Sequence, residues 1–308
     1  MQLVDLPIPQ PKANEAVVKV AAAGVNSIDA QFRDGLFKTP LPFVPGQEGV
    51  GVVTAIGPGV KCVKVGDRVA WSGTLGSYAE YVAGLAESKV PVPAGVSDQD
   101  AAAAMLQGLT AHYLCNDAHK LKPGDTALVH AAAGGVGLLV VQMAKNLGAR
   151  VIGTVSSEEK AGWAREAGAD EVIIFSQTDF EAETKRLTNG KGVDVVYDGV
   201  GKATFAKGLN VLRPRGMLVL FGASSGPVPP VDPITLSEKG SLYMARTTLA
   251  HFTATREELV ARSGEVFAMI ASGTLKPKIA KTYALAEAPQ AHRDLEARKL
   301  TGKLLLIP

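Results

Sequence analysis

The sequence predicts an α/β protein in two parts, a doubly wound parallel sheet and a mainly antiparallel β module. Three observations predict it. From about Gln107 apolar strand-like runs alternate with helix-like segments, and a glycine-rich turn stands at the first strand-to-helix junction of that series. Ahead of it, residues 1 to about 105 carry short β-like runs broken by Gly and Pro. A length of 308 residues suits two domains better than one.

In the first part EAVVKVAAAGV, GVGVVTAIGPGV, GDRVAWSG and SYAEYVAG read as strands, with GPGV and KVGDRV as turns in which Gly66 and Asp67 supply the turn chemistry. In the second, TALVHA (126–131) is a buried strand and VGLLVVQMAKNLG a helix, with Val136, Val140, Met143 and Leu147 as its core stripe and Gly148 at its C-terminal cap. RVIGTV, VIIF, VDVVYD and MLVLFG follow as strands, with EEKAGWAREAG and FAKGLNVL as helices. Repeated β-then-α units imply a parallel sheet covered on both faces. SLYMARTT (241–248) reads as the edge strand of that sheet. The remainder holds helix-like REELVARSGEVFAMIASG and APQAHRDLEAR and ends on strand-like KLLLIP. Because it matches neither unit of the alternation, it is expected to return to the first domain. The domains are therefore 1–106 with 247–308, and 107–246.

Thirty-two basic against 30 acidic residues leave a net charge of +2, which argues against nucleic acid and anionic membranes as partners. No uncharged apolar run reaches the ~20 residues of a membrane span, and the first residues lack the basic and apolar regions of a secretory signal. Cys62 and Cys115 stand far apart, without the spacing of a metal cage. A reduced, cytoplasmic protein with small-molecule partners is the economical reading.

HAAAGGVG (130–137) joins strand TALVHA to the next helix. Small residues let the backbone approach a pyrophosphate, whose charge meets the free N–H groups and the positive end of the helix dipole, so Gly134, Gly135 and Val136 are expected at the cofactor. The pattern is AxGxxG, with Ala132 in place of the first glycine. Enzymes that prefer NADH place Asp or Glu about 20 residues beyond this turn, on the ribose hydroxyl. Here that position is Ser157 in GTVSSEEK, and Ser156, Ser157 and Lys160 offer hydroxyls and a cation to a 2'-phosphate. NADPH is therefore the expected cofactor. The same residues also read as a helix start, a capping box of Ser156 with Glu159 and Lys160 in solvent; the two readings are compatible.

GVNSIDAQFRDGLF, PFVPGQEGVGVVTAIGPGV, VGDRVAW, LQGLTAHYL, HAAAGGVG, VVYDGVG, VLFGASSG and the final LLLIP together resemble the medium-chain dehydrogenases and reductases, and within them the NADPH:quinone oxidoreductases of the zeta-crystallin type. The resemblance spans nearly the whole chain and implies a Rossmann domain beside a GroES-like catalytic domain. Relatives that bind catalytic zinc use a Cys and a His where this chain has Asn26 and Gln47, and they hold structural zinc with four clustered cysteines, which are absent here. A neutral amide is a poor zinc ligand, so no metal is expected. A metal-free site needs an acceptor already prone to hydride, hence a quinone bound between the two domains, with an enal or enone as the alternative. The resemblance implies Asn26 as the group bonding the developing oxyanion, and Gln31 beside it where relatives commonly carry Tyr. Thr110, Val200, Phe221, Gly222, Ser224 and Ser225 are implied along the cofactor. Phe175 stands where relatives use Tyr at the 2'-phosphate, and Arg298 resembles an arginine that reaches back to the cofactor. A homodimer is implied through the 241–248 strand. Such relatives begin with a further strand before the equivalent of QLVDLPIPQP, so a sheet edge of the first domain is expected to lie open.

Overall fold

The structure, a computed structural model, describes residues 1–298 and 300–308. The chain forms β1 (Glu15–Val25), α1 (Ser27–Arg33), β2 (Glu48–Ile56), β3 (Arg68–Ser72), β4 (Tyr81–Leu85), β5 (Val90–Pro91) and α2 (Asp98–Tyr113). It continues through β6 (Thr126–Val129), α3 (Gly135–Asn146), β7 (Arg150–Val155), α4 (Glu158–Glu166), β8 (Glu171–Ile174), α5 (Phe180–Leu187), β9 (Val193–Asp198) and α6 (Phe205–Asn210). Then follow β10 (Leu212–Leu220), α7 (Ile234–Glu238), β11 (Tyr243–Arg246), α8 (Arg256–Ala271), β12 (Ile279–Ala284), α9 (Ala288–Ala297) and β13 (Lys303–Ile307). Two compact units result, Met1–Leu109 with Phe252–Pro308, and Thr110–His251.

The first unit is built on a mixed sheet in the order β12-β13-β1-β2-β3-β5, with β4 also paired to β1. Its core is Val18, Val20, Val53, Trp71, Tyr283 and Leu306 with their neighbours. Gly51 stands opposite Val20 because a Cβ there would lie 2.0 Å from the Lys19 carbonyl oxygen. Strand β13 runs antiparallel to β1, Ala23 opposite Leu306 and Val25 opposite Leu304, which brings the last strand beside the start of α1. Residues 1–12 form neither helix nor strand and expose Leu3, Val4, Leu6 and Ile8.

Charged side chains are buried in this unit too, Lys89 among them. Lys89 is fully buried, its ammonium 4.8 Å from the Trp71 ring centroid and within 3.4 Å of the Thr74 and Ser88 hydroxyls. Burial pushes its pKa down to about 7. Between pH 7 and the ordinary lysine value the unfolded chain holds a proton that the native state has released, so stability rises with pH across that window. Lys89→Met is expected to gain about 1 to 3 kcal/mol at pH 6 and progressively less toward pH 10, checked by urea denaturation at several pH values. A gain independent of pH would show that the ammonium is not responsible.

The second unit is an all-parallel sheet in the order β11-β10-β9-β6-β7-β8. Strands β6 and β9 are buried along both faces, as the near-continuous runs TALV and VDVVYD require. Chain order reverses between β6 and β9, which marks the crevice where such sheets bind ligands at their carboxyl ends. The edge strand is shorter than 241–248, Tyr243–Arg246, and pairs with β10. The strand begun at Thr126 ends at Val129 rather than 131: the chain turns at Ala131, whose φ of +51° is incompatible with a continuing strand.

Candidate active site

At the carboxyl end of β6 the turn closes through Gly134 N–H to the Ala131 carbonyl oxygen at 2.8 Å, and Gly134 stands in extended conformation as the N-cap of α3. The first-turn N–H groups, including those of Gly135 and Val136, have no partner within the helix. Gly137 sets the distance between helix and strand: a Cβ there would lie 2.2 Å from the Ala131 oxygen. Ala132 occupies the first position of the fingerprint because its backbone N–H is bonded to Thr154 O at 3.0 Å and its methyl packs on Gly153.

The end of β7 lies beside the end of β8. Phe175 N–H bonds Val155 O at 3.0 Å, and the Ser176 hydroxyl donates to Ser156 O at 3.1 Å. This groups Ser156, Ser157, Lys160 and the exposed Phe175 ring along one rim. The expected capping box of Ser156 with Glu159 does not form, because the cap falls on Ser157 and puts Lys160, which cannot accept a bond, at the third helical position. Ser157 is the N-cap of α4, its hydroxyl accepting from Lys160 N–H at 3.4 Å. No carboxylate follows the strand until Glu158, inside the helix.

The loops after β9 and β10 are stitched together. The Ser225 hydroxyl donates to Val200 O at 2.7 Å and accepts from Ala203 N–H, and Ser224 N–H donates to Gly199 O at 3.2 Å. Gly222 permits the approach, since a Cβ would stand 2.6 Å from Gly199 O. Asp198 is buried and caps its own turn, accepting from Val200 and Gly201 N–H and from the Thr204 hydroxyl. Phe221 meets Gly199 from the next strand. His130, buried at the end of β6 and 2.9 Å from the Thr154 hydroxyl, is pushed down to about 4 by burial and stands neutral. Thr110 is buried on α2, and Arg298 ends α9 in the first unit with a φ of +54°.

In the first unit Asn26 precedes α1 and is 4% exposed. Its Nδ2 donates to Glu48 Oε2 at 2.8 Å, while its Oδ1 accepts from Lys303 Nζ at 2.6 Å. Lys303 and Glu48 form an ion pair with side chains 1% and 0% exposed. Gln31 lies half-buried on α1, and the buried Gln47 amide nitrogen has no hydrogen-bond partner among the described residues. A second polar chain fixes α1 from below. Arg33 can only donate, so His292 Nδ1 accepts from it at 3.2 Å, which leaves the His292 Nε2–H to donate to the Tyr78 oxygen and the Tyr78 hydroxyl to donate to Asp29 Oδ2, each at 3.1 Å. Burial raises Asp29 to about 7 and, with the Arg33 charge, lowers His292 to about 4.

The donors around Asn26 do not fit a metal ion: the amides of Asn26 and Gln47 are neutral, and an ammonium already sits on the Asn26 oxygen. Among the described residues no group of three or more His, Cys, Asp and Glu side chains is arranged to hold one. No helix among them is long and apolar enough to cross a membrane.

Lys303, Glu48, Asp29, Tyr78 and His292 escaped sequence reading. A lysine opening an apolar strand reads as a solvated end, and nothing in its spacing ties residue 303 to residue 26.

Two family models match the chain, an alcohol dehydrogenase GroES-like domain over residues 12–94 and a zinc-binding dehydrogenase domain over 135–263. A quinone oxidoreductase of Pseudomonas aeruginosa is 46% identical over 301 residues, 97% of this chain and 93% of the relative. The crystal structure of an Escherichia coli quinone oxidoreductase complexed with NADPH is 44% identical, with a TM-score of 0.97 over 100% of this chain and 95% of that one. A 2-haloacrylate reductase of Burkholderia is 41% identical over 313 residues, 99% of this chain and 94% of the relative.

Proposed function

The chain belongs to the quinone oxidoreductase family of medium-chain dehydrogenases and reductases, and from that membership we propose that it reduces quinones with NADPH and without a metal ion. The observation that carries the reading is the rim of Ser156, Ser157, Lys160 and Phe175 beside the glycine turn, a phosphate-binding edge with no ribose-binding carboxylate at its strand end. NADPH, when bound, supplies the hydride. Gly134, Gly135 and Val136 hold its pyrophosphate on the amino end of α3; Ser156, Ser157 and Lys160 meet its 2'-phosphate, with the Phe175 ring alongside. Thr110, Val200, Phe221, Gly222, Ser224 and Ser225 serve the rest of the cofactor, and Arg298 is a further contact. Asn26 bonds the acceptor oxygen as charge develops on it, with Gln31 beside it. In domain terms, 107–246 binds the cofactor and 1–106 with 247–308 receives the substrate.

Lys160→Ala is expected to weaken NADPH binding about 10-fold while leaving NADH nearly unchanged, read by fluorescence titration. Equal losses for both cofactors would remove Lys160 from the 2'-phosphate site. The activity test follows loss of reduced-nicotinamide absorbance with chelator-treated protein, NADPH and a quinone, against an enone and against NADH. Rapid oxidation with quinone and NADPH supports the reading; tight NADPH binding without turnover on any acceptor overturns it. Similarity to a 2-haloacrylate reductase favours a second reading, reduction of an activated carbon–carbon double bond, and a faster rate on the enone selects it. We also propose a cytoplasmic homodimer joined at β11, whose Tyr243 and Met244 are exposed; light scattering at the monomer mass would remove it.

A further inference from the structure

Asn26 occupies the N-cap of α1, where its side chain would ordinarily bond the helix's first N–H groups. It is used otherwise. The Asp29 carboxyl accepts Asn26 N–H at 2.8 Å, and the Asn26 amide turns into the Glu48–Lys303 ion pair. Its Oδ1 faces the Lys303 ammonium and, at 3.4 Å, the Gln107 amide. One N–H goes to Glu48 at 2.8 Å, whereas the other is held loosely, 3.4 Å from Gly24 O. Rotating the amide by half a turn would set NH2 against the ammonium and the carbonyl oxygen against the carboxylate. The two charges therefore fix which end of the amide is the donor, which neutral neighbours of the same shape would not do. The ammonium on Oδ1 also draws electron density from the nitrogen and strengthens its N–H as a donor.

The fold makes room for this arrangement. A Cβ on Gly24 would lie 2.2 Å from Glu48 Oε2 and 2.8 Å from Lys303 Cε, so a glycine at this point of β1 leaves the space the pair occupies. The second Glu48 oxygen accepts Leu106 N–H at the middle of α2. Glu48 and Lys303, from β2 and β13, thus converge on one amide.

We infer that Lys303 is a positioning residue for the reduction: with Glu48 it fixes and polarises the Asn26 amide so that its loosely held N–H is presented to the oxyanion that forms when the acceptor takes the hydride. The ammonium thereby supplies, through one amide, part of the charge stabilisation that a Lewis acid gives metal-dependent enzymes. The inference rests on the quinone reductase reading.

The test is a kinetic cycle. Glu48→Gln/Lys303→Met removes both charges together, so no lone charge is left buried and the protein is expected to fold and to bind NADPH as the wild type does. Its kcat with quinone should fall about 10- to 100-fold with KM nearly unchanged, the size of a lost oxyanion donor. Asn26→Ala alone should lose about 100-fold. Made in the Asn26→Ala background, the double change should cost no further factor, because the pair acts through Asn26. A double variant with wild-type kcat, or losses that multiply, overturns the inference. A wild type that reduces neither quinone nor enone sinks the functional reading instead. The side-chain amide NMR signal of Asn26 then decides the fixed polarity: displacement in the double variant supports it, and an unmoved signal overturns it.

Discussion

Lys303→Met is expected to destabilise the protein by about 3 to 5 kcal/mol, among the largest losses a single side chain can cause here. Glu48 has no exposed surface, and removing the ammonium leaves its carboxylate buried against the neutral Asn26 amide and Leu106 N–H. Attraction between the two charges matters less than the desolvation exposed when one is taken away. The urea midpoint should fall at unchanged slope, and Glu48→Gln in the same chain should restore most of it. Arg165→Met is the contrast: its pair with Glu158 is 53% and 68% exposed, and its loss should shift the midpoint hardly at all. If Lys303→Met behaved like Arg165→Met, water would have to reach Glu48 in solution.

Gly137→Ala should raise the dissociation constant for NADPH about 100-fold, on the order of 2.7 kcal/mol, and lower stability by about 1 to 3 kcal/mol. The added Cβ would meet Ala131 O at 2.2 Å and Ala132 Cα at 2.9 Å. Both are backbone, so no side chain can swing away. Helix α3 must lift from β6, and with it the first-turn N–H groups proposed to hold the pyrophosphate. Gly162→Ala, on α4 with nothing within 4 Å of the new methyl, should instead stabilise by about 0.5 to 1 kcal/mol through helix propensity. Calorimetric titration and thermal melts check both variants. Unchanged NADPH affinity in Gly137→Ala would mean that this turn does not bind the cofactor.

Those two sites differ in how far the sequence revealed them. The glycine turn is local: strand, small residues and helix follow one another within some twenty positions, so its geometry can be read from residue order and steric size. The parallel sheet was legible for the same reason, since each β-then-α unit announces itself. Asn26 was reached by resemblance, but its partners were not, because Glu48, Lys303 and Tyr78 meet only after the sheet of the first unit is assembled. Pattern also shifts ends by a residue or more: Ser157, not Ser156, caps α4, and the first strand of the second unit stops at Val129 because Ala131 turns left-handed. Charged residues inside apolar runs are where such reading is weakest. Lys89 and Lys303 both look solvated in sequence and both are buried.

The pairing of β13 with β1 carries a consequence for the order in which the protein is made. The residues that meet at Asn26 and Lys303 are 277 positions apart in the chain. On a ribosome adding ~5 to 20 residues per second, the nascent β1 waits on the order of tens of seconds for its neighbour. The second unit, drawn from one continuous stretch, has all its strands translated well before then. Glu48 therefore remains without its cation until β13 emerges, and the electrostatic core of the first unit closes only after every strand of the second has been made.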